Sequence, residues 1–151
     1  MLTEALFNTL GLFALIAGFV VGLGAVTVID LHGFLGRRSA YWTEATTRTH
    51  KITKPLIWLG LFLILIGGSI HYRNWGLAFP VNIHLLTMPF ALGVGYFLSF
   101  KVSPFLLEKE RQGKSAELLP KIWQTKITVA FIISFICWWG NLLLVVWGLT
   151  Q

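Results

Sequence analysis

Four long stretches of this chain carry no charged side chain: Ala5 to Ile29, Pro55 to Tyr72, Asn74 to Phe100 and Ile127 to Gln151. Apolar residues dominate each stretch without alternating with polar ones, so the pattern has the period of neither a half-buried strand nor a barrel staves' sequence. A helix crosses a hydrocarbon core of about 30 Å in roughly 20 residues, which makes every stretch long enough to cross once and none long enough to cross twice. Helices also satisfy their backbone polar groups internally, as lipid requires. The pattern predicts an all-α fold, an up-down bundle of four transmembrane helices over about residues 5–31, 55–71, 80–101 and 126–148, in one membrane domain covering 1–151. The first stretch opens on Glu4 instead of a basic run and exceeds the core of a signal peptide, so it is expected to remain as a helix.

The links between these stretches add detail. Ser39 precedes a polar segment with helical spacing, and Glu44 and Arg48 are placed for an i,i+4 pair, so the second helix is expected to begin near Ala40, with Pro55 as a kink or restart. The link His71 to Pro80 carries Tyr72 and Trp75, and Pro80 suits the first turn of the third helix. Residues Ser103 to Lys126 read as an extension of helix three, a turn near Gly113, and an amphipathic lead into helix four after Pro120. Short links make sequential helices antiparallel neighbours.

Composition agrees: 56% of residues are hydrophobic and 12% charged, a balance wrong for a water-soluble domain of 151 residues. The net charge of +6 would suggest nucleic acid in a soluble protein, but eleven of the twelve cations fall in the two links before helices two and four, and only Arg73 lies elsewhere. By the positive-inside rule those links are cytoplasmic and both termini extracytoplasmic, with the basic face turned to anionic lipid headgroups and no nucleic-acid partner expected. The placement expected is a bacterial inner membrane. Cys137, the single cysteine, is read as a structural thiol, since no internal disulfide can form.

The helix faces carry more information. Gly11, Leu15, Gly18, Gly22, Ala25, Ile29 and His32 lie on one face of the first helix, with Gly18 and Gly22 at the GxxxG spacing that brings backbones close in lipid. Gly60, Ile64, Gly67 and His71 form a similar strip on the second helix, and His84, Met88, Ala91 and Gly95 on the third. Such strips serve tight packing inside the bundle or a homodimer contact, or leave room for a flat cofactor.

All four histidines lie near helix ends, His32 and His50 at one level and His71 and His84 at the other. His50 and His71 share a face of helix two but stand about 31 Å apart, so one cofactor cannot touch both. Facing imidazoles are a common axial pair for haem iron. The outer pair His71 and His84 is therefore the preferred haem b site, with Trp75 and Phe79 to cover an edge, and His32 with His50 the second choice. Copper is the competing expectation, held by His71, His84 and Met88, and a structural or partner-binding subunit without any cofactor is the third. Asp30, the one carboxylate adjoining an apolar core, is expected to reach water or meet Arg37 or Arg38 near the cytoplasmic end, or to share a proton-relay role with His32. Asn141 and the pair Trp138 and Trp139 are candidates for an interhelical hydrogen bond and packing bulk. No phosphate-binding glycine loop, nucleophile elbow, HExxH or paired catalytic carboxylates occur.

The stretch Gly22 to Arg38, GLGAVTVIDLHGFLGRR, followed by a helical link and a second helix ending in Gly67 and Gly68, resembles bacterial integral membrane proteins related to the copper-resistance protein CopD. The layout of four helices is also similar to that of HemJ-type protoporphyrinogen oxidases. The first resemblance implies copper handling, the second haem b and porphyrinogen oxidation, with His84 in NIHLLTMPF similar to the histidine that opens helix three there. The histidine expected early in helix one has no counterpart, since Met1 to Leu31 contains none.

Overall fold

The computed structural model describes residues 2–75, 79 and 81–150, and Pro80 lies outside the described residues. They form α1 (Leu2–Gly36), α2 (Ala40–His71), α3 (Val81–Phe97), a π-helical turn (Leu98–Val102), α4 (Ser103–Arg111) and α5 (Lys121–Gly148). The third span is continuous through α3, the π turn and α4, so four helices are long and apolar enough to cross a membrane. Each extends beyond its uncharged stretch, because polar side chains at a bilayer surface do not interrupt a helix.

Local chemistry sets the ends. The Ser39 hydroxyl accepts from the Trp42 amide at the start of α2, and the helix continues through Pro55 without a restart. Glu44 and Arg48 form their pair at 2.6 Å on an exposed face, where it contributes little. Gly113 takes a φ of +71° in the link after α4, the left-handed conformation that favours glycine.

The π turn follows from Pro104. The Ser103 amide bonds Leu98 O, five residues back, in place of Ser99 O. In that register the next donor to meet Ser99 O would be residue 104, and proline has no N–H. Lys54 of α2 fills the gap: its Nζ donates to Ser99 O at 3.0 Å, while Trp58 Nε1 donates to Ser99 Oγ at 3.1 Å.

The dominant packing is α1 against α2 through the glycines of both strips. A Cβ at Gly18 would stand 2.7 Å from both Gly60 O and Ile64 N, one at Gly11 2.6 Å from Ile70 Cγ2, and one at Gly67 would collide with the Leu15 backbone. Gly60 rests on Gly22, and Gly22 also receives the Trp138 ring. Pairing Gly11 with Ile70 and Gly36 with Thr43 makes the two helices antiparallel. α5 packs on α1 through Trp138 against Phe19 and Phe131 against Phe34, and on α3 through His84 and Asn141. The core is Leu15, Phe19, Leu23, Val26, Leu61, Ile64, Trp138 and Val145. Large apolar side chains also cover the outside, with Phe13 and Val20 each 70% exposed and Leu143 68%, the surface a lipid solvent calls for.

Gly18→Ala is expected to destabilise the protein in detergent micelles by about 2 kcal/mol, because backbone and not a movable side chain blocks the new methyl. Gly24→Ala, which meets open space, is expected to be neutral or stabilising by up to about 1 kcal/mol. Equal thermal unfolding of the two variants would contradict the backbone contact.

Candidate functional site

Two cavities lie along the bundle. The one at the end where α2 stops and α3 starts, labelled outer after the expected level of His71 and His84, is about 410 Å³ and is walled by residues of α1, α2, α3 and α5, among them Tyr72, His84, Met88, Trp138 and Asn141. α2 and α3 meet here through side chains and not by close backbone approach, which leaves the space between them. Leu65 and Leu85, 44% and 60% exposed, line it from those two helices, so it opens toward lipid. The inner cavity, about 70 Å³, is lined by Asp30, His50, Ser99 and Ser134 among apolar groups. Leu61, Ala91 and Trp138 border both and form the partition between them.

In the outer cavity the polar groups are chained together. Asn141 Nδ2 donates to Cys137 O at 2.6 Å on its own helix, which turns Oδ1 toward α3. Thr87 Oγ1 donates to that oxygen at 2.8 Å, and His84 Nδ1 lies 2.6 Å from it. An acceptor on that side assigns the ring proton to Nδ1 and leaves the Nε2 lone pair free. Among the described residues the one hydrogen-bonding neighbour of Nε2 is the Tyr72 hydroxyl, at 3.4 Å. Burial pushes the Tyr72 phenol above its usual value, so it stays a neutral donor. A histidine oriented from behind through Nδ1–H with Nε2 presented forward is the arrangement seen in imidazole ligands to metals.

Only one histidine of each expected pair lines a cavity. His84 and Met88 line the outer cavity; His71 does not line it but packs on Tyr72 and Trp75 at ring separations of 4.9 and 5.7 Å, and the same Tyr72 ring lies 5.5 Å from that of His84. Phe79 lies on Trp147, 4.6 Å away, so neither Trp75 nor Phe79 lines the cavity. At the inner level His32 packs on Trp42 at 5.1 Å, while His50 borders the inner cavity. The helix-three strip of His84, Met88, Ala91 and Gly95 faces the two cavities, and a Cβ at Gly95 would meet only Leu61 Cδ1, at 4.0 Å, among the described residues. Gly11, Gly18, Gly22, Gly60 and Gly67 are used up in contact between helices one and two, and of the glycines on those helices only Gly68 lines the outer cavity. Among the described residues no three His, Cys, Asp or Glu side chains converge as a metal site.

Asp30 departs from expectation. It is 8% exposed, its Oδ2 has no hydrogen-bond partner among the described residues, and it reaches neither arginine; the Arg37 guanidinium turns to Phe34, donating to its carbonyl at 3.0 Å. The titratable side chain that shares its cavity is His50, whose Nε2 is likewise unpartnered, and not His32.

Sequence reading missed Lys54, Ser99, Thr87 and Ser134. The signals were present in spacing: Ser134, Trp138 and Asn141 fall four and three apart on α5, and Pro104 stands five after Ser99. No protein-family model, curated protein or solved structure matches this chain.

Two outcomes follow from the polar groups. Asn141→Leu strands His84 Nδ1, while the Thr87 hydroxyl keeps Ile83 O at 2.9 Å, and is expected to lower stability by about 1–2 kcal/mol; an unchanged unfolding midpoint would contradict the chain of hydrogen bonds. Asp30→Asn removes a carboxyl with no cation partner, so its unfolding midpoint in detergent is expected to stay or rise. A fall of several kcal/mol would instead demand an ion pair.

Proposed function

We propose that this chain is a haem b-binding protein of the bacterial inner membrane, serving electron transfer or redox sensing, with both termini extracytoplasmic. The observation that carries the reading is the His84 imidazole, held through Nδ1 by Asn141 and presenting Nε2 to a lipid-accessible apolar cavity of about 410 Å³. That volume falls in the range of small-molecule sites. Haem brings its own equatorial donors and asks the protein for as little as one imidazole. A bare copper ion would need a fuller protein set, and His84 with Met88 supplies two donors at most. The donor set thus favours haem over copper.

His84 is the residue that would hold the iron, with Nδ1 remaining on Asn141 and only the 3.4 Å contact to Tyr72 displaced. When bound, haem would supply one-electron redox chemistry in a low-dielectric site. Trp138 and Phe19 provide aromatic walls, and Leu15 and Ile64 exclude water from the side facing α1. His71, outside the cavity lining, is not required by this geometry. The orientation rests on the basic links before α2 and α5, which lie on the same side if each of the four helices crosses once.

Protein purified in detergent from haem-replete cells, or mixed with hemin, is expected to show a Soret band that His84→Ala abolishes and His71→Ala leaves in place. Colourless protein that takes up no added hemin would end the haem reading. C-terminal reporters active only in the cytoplasm would reverse the orientation.

A further inference from the structure

Arg73 is the single cation outside the two basic links, and its place in the fold gives it a use. It follows Tyr72 at the end of α2, is exposed, and borders the outer cavity that His84 lines from the opposite helix. No carboxylate pairs with it among the described residues; its guanidinium carbon lies 5.9 Å from the centre of the Phe7 ring. The rest of the cavity wall is predominantly apolar, and its polar members Ser69, Tyr72, His84 and Asn141 are uncharged groups or an imidazole. An unpaired guanidinium at the mouth of an apolar cavity is suited to one kind of guest, a molecule with an apolar body and an acidic end. Its fork of N–H groups matches a carboxylate in two parallel hydrogen bonds.

We infer that the outer cavity selects a carboxylate-bearing amphiphile, with Arg73 anchoring the acid group at the membrane surface while the apolar body enters between α2 and α3. This rests on the reading of the outer cavity as a haem site, and it assigns the haem propionates to Arg73. The lateral opening beside Leu65 and Leu85 lets the body arrive from lipid, and the charged end never has to leave the interface. A lipid phosphate could use the same guanidinium, and the test separates the two.

Full-length protein and its Arg73→Gln variant, in neutral detergent, are titrated with hemin and with hemin dimethyl ester, followed by the Soret band. Arg73→Gln is expected to weaken hemin about tenfold or more and to leave the ester unchanged. Equal weakening of both ligands, or no change for either, overturns the anchoring role while the haem reading survives. Failure of both ligands to bind the unsubstituted protein overturns the haem reading and the anchor with it. In nanodiscs, an Arg73→Gln variant that loses only retention of anionic phospholipid, with hemin affinity unchanged, assigns the guanidinium to lipid and overturns the proposal.

Discussion

The backbone contact between α1 and α2 is the constraint on which the rest of the structure depends. Lipid tails are as apolar as leucine, so helices in a membrane gain little by burying side chains against one another; close packing and interhelical polar contacts must hold them. Glycines on both helices let the main chains touch, with Gly18 against Gly60 and Gly67 against Gly11 and Leu15. That pair forms a rigid wall. On it Trp138 of α5 is seated over Gly22, and only a residue without a side chain at that point admits the indole.

Once α1 and α2 are joined so tightly, α3 is held mainly by α5. It stands off from α2 because the bridges between them are long side chains: Lys54 and Trp58 to Ser99 at one end, Tyr72 to His84 at the other. The interval between those bridges is the cavity. Pro104 thus has an effect at a distance, since the carbonyl it leaves unpaired draws Lys54 across and fixes one end of the gap. The cavities and the packing are therefore consequences of the same arrangement, and the partition of Leu61, Ala91 and Trp138 keeps the outer His84 site separate from the inner Asp30 and His50 site.

The polar groups of the outer site are economical. Asn141 satisfies its own amide on Cys137 O and offers one oxygen to two neighbours, so a single side chain on α5 fixes both the rotamer and the tautomer of His84. Such preorganisation gives the proposed haem ligand its direction before any guest arrives. In contrast, Oδ2 of Asp30 and Nε2 of His50 mark the inner cavity as a place where polar atoms are buried without a hydrogen-bond partner among the described residues.

By itself the sequence determined that the fold is helical and that four segments can cross a membrane, because segment length and charge segregation are local properties read along one chain. It also marked the close-packing strips, since absence of a side chain at helical spacing is visible in the letters. Only the tertiary structure decided which histidine meets which partner. His71 and His84 share a level in the sequence, yet with the glycines of α2 placed on α1, His71 packs on Tyr72 and Trp75 and is absent from the cavity lining, while His84 is part of it. Asp30 was legible as unusual, but its cavity mate is His50 because α1 and α2 are in antiparallel contact at a register that spacing within either helix cannot specify. Helical periodicity gives the face of a residue within its own helix; the azimuth of one helix against another is set by the contacts between them, and those exist only in three dimensions.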